Sequence, residues 1–439
     1  MVGSSKEGIE MITPEYLNEI MYGVEDRLSE VNEYLLRTII KRIMATFENG
    51  DGELFIPSTI ADMRKLMAQG VLYEDIQQAV QKSLPEIEGA IKDAFYQSAA
   101  EIVNQNNQMA IRIVEANNLH EVALPDFQKA GITSYASELN MTKTEIRRLE
   151  SAYKRTRGEM RNLTKTTALK ANMSYVNACD KAYMKVQSGV SVQKAVVEAI
   201  KEVSDRGIEV VDYRLGKSDR IEVAIARAVR TGVNQANADI VLTRCAEMGV
   251  NFVKVSSHLG ARVTGVNDYT NHSWWQGRVY SLNWDNSALL DYSKAISETE
   301  NGFEWLAQMR AALIEKTKQY NFPDFIETTG YGDILGLCGI NCKHSFYPFH
   351  PELQEDTDDR PDLEENEKRY KLEQKARAME RAIRKTKREL AGLKASGRND
   401  DEFKAEKKRV RDLLYKQSDA YMKFCKNNNI TPRNMSLKV

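Results

Sequence analysis

Residues 13–52 read TPEYLNEIMYGVEDRLSEVNEYLLRTIIKRIMATFENGDG. Thr13 has the side chain of an N-cap, and Pro14 stands at the first helical position with Glu15 beside it. Leu17, Met21, Val24, Leu28, Val31 and Leu35 then follow in steps of four and three, a heptad-like apolar stripe. The pattern predicts a helix running to about Thr46 and broken by Glu48-Asn-Gly-Asp-Gly52.

The prolines extend this reading along the chain. There are nine in 439 residues, and none falls between Pro125 and Pro323. Proline is the strongest helix breaker, so the long interval suits long helices. Before it, Thr59 to Ala68 and Leu72 to Leu84 read as helices, and Pro85 is placed to start the next, through Val114. Asn117 to Tyr135 reads as a loop. Thr142-Lys-Thr-Glu145 reads as a capping box opening a polar, basic helix through Arg155, Arg157, Arg161 and Lys165. Helix continues to about Val203 and resumes from Ser218 to Met248.

At residue 249 the character changes. Asn251 to Ser256 (NFVKVS) alternates and is β-branched, as a strand requires. All four tryptophans lie between 274 and 305, and four of the five histidines between 258 and 350. From Glu352 to Glu367 there are nine acidic residues and one arginine, a block expected to be solvated and extended. Beyond it, Met379, Ile383, Thr386, Leu390 and Leu393 form a second heptad-like stripe. A turn at Gly397–Asp400 leads to a helix over Asp401–Lys426, which makes an αα-hairpin of coiled-coil type. The expected division is therefore 1–140 (N-terminal helices), 141–248 (long helices), 249–351 (small α+β domain), 352–367 (acidic linker) and 368–439 (basic hairpin and tail). The fold class is mainly α: a long-helix N-terminal body, a small α+β C-proximal domain with a Gly/His/Cys-rich motif, and a C-terminal basic helical hairpin.

Composition excludes several classes. With 62 basic and 63 acidic residues the net charge is −1, so whole-chain charge gives no support to a nucleic-acid or membrane-surface protein. The balance conceals an asymmetry. Residues 362–439 hold 22 Lys/Arg against 13 Asp/Glu, a net of +9, which leaves −10 for the rest. The basic hairpin suits DNA phosphates, the acidic surface of a partner protein, or solvent. No apolar run is long enough to span a bilayer, and the first ten residues lack the pattern of a signal peptide. Five cysteines argue for a reducing compartment, not a disulfide framework.

Chemistry concentrates in 249–351. One part reads His258-Leu-Gly-Ala-Arg262, then His272-Ser-Trp-Trp-Gln-Gly277, then Val279-Tyr-Ser281. The other reads Gly330-Tyr-Gly332, then Gly336-Leu-Cys-Gly-Ile-Asn-Cys-Lys-His344, then Phe346-Tyr-Pro-Phe349. His258, His272, Cys342 and His344, with Cys338 as an alternate, supply the four N/S ligands of tetrahedral zinc, the cofactor this set suits. The spacing is not that of a standard zinc ribbon or finger, and each side chain has a bland alternative as a buried hydrogen bonder or small apolar filler. The same Cys and His residues have the types of a thiol nucleophile and its base, outside any recognised protease signature. The glycines from 330 to 339 lack the ending of a P-loop and read as a tight loop needing positive φ. Trp274, Trp275, Trp284 and Trp305 read as core.

These residues together resemble the signature of tailed-phage minor capsid proteins (the phage minor capsid protein 2 type) of Gram-positive phages and prophages, a group distantly similar to phage head-morphogenesis proteins. The matching pattern is H-x-G-A-R, H-S-x-W-Q-G-x-V-Y-S, G-Y-G and G-L-C-G-x-N-C-[KR]-H-S-F-Y-P-F. It contains Arg262, Trp275, Gln276, Gly277, Tyr280, Gly330, Gly332, Gly336, Gly339, Asn341 and Phe349 beside the His and Cys residues. Lys343 stands where Arg is expected, and the acidic block stands where the family often has a Gly/Ser-rich turn. The resemblance implies a structural protein of the virion head, passing through the host cytoplasm during assembly. It implies portal and other capsid proteins as partners, an oligomeric state in the virion, and a part in head assembly near the portal and in DNA packaging or delivery. The charge of the hairpin adds packaged DNA as a partner, and the lack of a spanning apolar run leaves no membrane. Related domains fused to toxins imply a second reading: a virion-carried metal- or thiol-dependent effector in 249–351.

Overall fold

The computed structural model describes residues 13–68, 72–116, 141, 143–212, 217–292 and 315–432. The chain is mainly helical, as the apolar stripes require. It divides into two compact units, each drawn from three separated stretches. The loop expected at 117–135, the Thr142 cap and Trp305 lie outside the described residues.

One unit takes Tyr22–Ala90, Gly158–Ala226 and Leu372–Val439. The first stripe forms α1 (Pro14–Ile20), which belongs to the other unit, and α2 (Tyr22–Phe47), with the Thr13 side chain accepting from the Tyr16 N–H. After α3 (Ile60–Ala68), α4 (Leu72–Ala116) runs straight through Pro85. The expected restart at Pro85 does not occur. An interior proline costs about 3 kcal/mol, but Ile76, Val80 and Ile87 on either side are all buried, and that burial outweighs it. Next come α5 (Lys143–Lys165), α6 (Thr167–Gln187) and α7 (Val192–Arg206). Small residues on α6 (Ala171, Ala178 and Ala182) are fully buried and let it pack closely on α2 and α7. A two-stranded ribbon, β1 (Glu209–Asp212) with β2 (Lys217–Arg220), occupies the start of the stretch expected to be helical from Ser218. α8 (Ile221–Met248) begins after it.

The hairpin is present as α11 (Leu363–Ala395) and α12 (Asp401–Asn427), with Asp400 capping α12 through the Phe403 N–H. Ala376 and Ile383 pack against Tyr421 and Cys425, and the Tyr421 hydroxyl donates to Glu380. Arg388 is fully buried. Its guanidinium donates to the Ser204 and Asp205 carbonyls at 3.0 and 3.2 Å, satisfying acceptors at the C-terminal end of α7.

The other unit takes the chain up to Met21, Ile91–Arg157 and Arg227–Lys371. Arg244 of α8 and Glu145 of α5 form a fully buried bidentate pair. Beyond α8, NFVKVS supplies β3 (Phe252–Val255), the central strand of an antiparallel sheet ordered β4-β3-β5. β4 is Val279–Ser281 and β5 is Phe346–Phe349, so Phe252 faces both Ser281 and Phe349 in register. Phe252, Val279 and Phe349 form a small aromatic core with Tyr320 and Phe322.

Candidate functional site

The sheet fixes both ends of the motif. The chain leaves β3 through His258 and the Gly260–Arg262 turn and enters a single helical turn, α9 (His272–Trp275). It returns as β4 through Gln276 and Gly277. α10 (Phe325–Thr329) is closed by Gly330 at φ 61°, and the Gly-rich loop then leads through Cys342 and His344 into β5. Residues far apart in sequence meet because β4 and β5 flank the same central strand.

Three expected ligands come together. His272, Cys342 and His344 are buried, and one ligand atom from each lies within 4.8 Å of the other two. His258 stacks on His344 with ring centroids 4.5 Å apart, but stays outside this three-atom group. Cys338 is buried in left-handed backbone at φ 58° and is also outside it.

The hydrogen bonds fix the protonation of the rings. The His258 backbone N–H donates to Gln276 Oε1 at 2.9 Å, which identifies that atom as the amide carbonyl. It has no proton to give, so His344 Nε2, 3.0 Å away, is the donor. His272 Nε2 likewise faces the Leu335 carbonyl at 2.9 Å and carries the proton. Burial pushes the His272 imidazole down to about 3 and His344 well below the usual histidine range, with Arg262 and the neighbouring histidines adding to the effect. Both rings are therefore neutral, and each Nδ1 keeps its lone pair. His344 Nδ1 lies 3.6 Å from Cys342 Sγ, and the His344 N–H also reaches that sulfur at 3.4 Å. Burial raises the Cys342 thiol to about 11.

The other motif residues hold this arrangement in place. Arg262 donates to the Leu335 and Ile340 carbonyls at 2.8 and 2.6 Å, tying the Gly-rich loop to the His258 turn. Trp275 is fully buried, packs on His272 and His344, and donates to the Tyr269 carbonyl at 2.9 Å. Tyr280 donates to the Trp275 carbonyl, and Phe349 sits in the aromatic core. Trp284 donates to Asn251 from a partly buried position.

Positive φ is present at Gly330 and Gly332 but not at Gly336 or Gly339. Those two are held small by contact: a Cβ on Gly336 would collide with the Gly330 carbonyl, and one on Gly339 would lie 2.5 Å from the Ile334 oxygen. Within the same loop Cys338 and Asn341 also have positive φ, both at 58°. Asn is among the residues that tolerate this region.

Two supports carry no mark in the sequence. Asn366 of α11 is fully buried, and its Oδ1 accepts from the Gly260 and Ala261 N–H groups at 2.8 and 2.9 Å. In sequence it is one neutral residue in an acidic run, with nothing to mark it. Lys254 of β3 is buried and pairs with Asp359 at 2.6 Å and Thr357 at 2.7 Å. The Asp359 N–H also donates to the Gly277 carbonyl. Part of the acidic stretch is thus docked on the sheet instead of extended into solvent, because a buried ammonium needs a counter-charge.

A buried thiol held protonated is the opposite of an activated nucleophile. The site is a tightly packed His/Gln/Cys cluster where the Gly-rich loop meets the β3–β5 sheet. The phage minor capsid protein 2 family model matches residues 12–420, and the chain belongs to that family. It is accordingly a structural protein of a phage, associated with other virion components. No curated protein and no solved structure matches it. Among the described residues no helix is long and apolar enough to cross a membrane.

Proposed function

We propose that this chain is a low-copy head protein that assembles near the portal vertex, with the helical units making contacts to portal and capsid proteins. The observation that carries the reading is the family match over residues 12–420. The surface of α12 supports it: exposed Lys408, Arg411, Lys416 and Lys426 alternate with exposed Asp412 and Asp419. Such a mixed face suits docking to charged protein surfaces, and its cationic excess suits packaged DNA. Host cytoplasm is then the place of synthesis and the virion head the destination.

The test is quantitative mass spectrometry of gradient-purified particles. A few to a few tens of copies per particle support the reading. Presence in the lysate with absence from particles overturns it and favours a transient assembly factor or an effector. DNA contact through the hairpin is checked separately by salt: full-length chain whose DNA binding does not weaken between about 50 and 200 mM salt makes no such contact.

A further inference from the structure

We propose that His272, Cys342 and His344 form a three-ligand site for a zinc-class divalent cation, buried beside the sheet and covered by the half-buried His258 ring.

Three independent features of the geometry point there. The first is spacing. Tetrahedral zinc with Zn–S near 2.3 Å and Zn–N near 2.05 Å places sulfur and nitrogen about 3.6 Å apart, and the Cys342 Sγ to His344 Nδ1 distance is 3.6 Å. All three ligand atoms fall within 4.8 Å of one another, so modest contraction closes the set around one ion.

The second is the outer shell. A metal-bound imidazole almost always gives its second N–H to a carbonyl or carboxylate, which fixes the ring and its tautomer. His344 gives Nε2–H to Gln276 and His272 gives Nε2–H to the Leu335 carbonyl. Each ring has its Nε2 occupied in this way, which leaves Nδ1 as the nitrogen free to take an ion. The His344 N–H at 3.4 Å from Cys342 Sγ is likewise placed to stabilise a thiolate.

The third is ligand type. Two imidazoles and one sulfur, with no carboxylate in the group, select a borderline-soft cation over magnesium or calcium. Binding breaks the Cys342 S–H bond, the sulfur keeps the electron pair, and the proton leaves to solvent. Three protein ligands leave one tetrahedral position to a non-protein ligand; His258 stacks on His344 and is not one of the three.

The test uses the full chain, purified under reductant, stripped with a chelator and titrated with Co2+ alone. The expected result is a thiolate-to-cobalt charge-transfer band with tetrahedral d–d absorption, saturating at one ion per chain and displaced by Zn2+. Cys342→Ser removes the charge-transfer band. Cys338→Ser leaves it intact. Gln276→Ala keeps all three ligands and weakens affinity by about 10- to 100-fold, which keeps the proposal testable if the Cys342 variant does not fold. A wild-type chain with native far-ultraviolet circular dichroism and no band overturns the proposal. So does loss of the band in Cys338→Ser with retention in Cys342→Ser.

Discussion

Arg244 and Glu145, on two helices 99 positions apart in sequence, are both fully buried and share two hydrogen bonds of 3.0 Å. Arg244 also reaches Asn107 at 3.2 Å and lies 3.9 Å from Glu247. Neither charge has water to turn to, so each depends on the other. Arg244→Ala is expected to cost about 3–5 kcal/mol, whereas replacing both with apolar residues of similar volume costs far less. Denaturant unfolding of the two variants checks this. Equal losses in both would show that the helices, not the ion pair, set the stability there.

Asn366 clamps the turn that carries His258. Asn366→Ala leaves two buried N–H groups without an acceptor, at about 1–3 kcal/mol each. Amide hydrogen exchange at Gly260 and Ala261 is expected to accelerate, with helix α11 otherwise unchanged. Unaltered protection at both amides would contradict the clamp.

Gly277 is where the acidic segment docks. Its φ is 70°, and a Cβ there would lie 2.8 Å from backbone atoms of Asp359 and Arg360. Gly277→Ala is therefore expected to cost about 1–3 kcal/mol through backbone strain and to release the stretch from 355 to 362. Limited proteolysis reads the release as new cleavage in that stretch.

Glu406 of α12 is held down to about 2 by Arg409 and by Lys201 of α7, the latter at 2.6 Å. A carboxylate depressed in the folded state adds stability above its unfolded value, about 4.3, and loses it as pH falls through the folded value. Glu406→Gln is expected to destabilise the protein at neutral pH. The gap to wild type should close between about pH 4.5 and pH 2. Thermal melts across that range test it, and a gap that stays constant would remove Glu406 from the account.

Much of the fold was legible because helices write a local code. The Thr13 cap, the stripe to Phe47, the NFVKVS strand and the hairpin turn at Asp400 each depend on neighbours within a few residues. Pro85 was misleading for the same reason, since local cost says stop where buried Ile76, Val80 and Ile87 keep the helix going. The β1–β2 ribbon was hidden because its strands pair only with each other over four residues each and carry no long period.

For the site, sequence determined the residue types: histidines and cysteines crowded among tryptophans and glycines, in a pattern that marks the family. Tertiary structure decided which of them meet. Pairing of β4 and β5 on β3 brings His272, Cys342 and His344 together and leaves Cys338 outside. It also recruits Gln276 to fix the His344 tautomer and Asn366 to hold the turn. Spacing along a chain cannot encode such contacts, because hydrogen bonds between residues 68 to 106 positions apart exist only once the strands have paired.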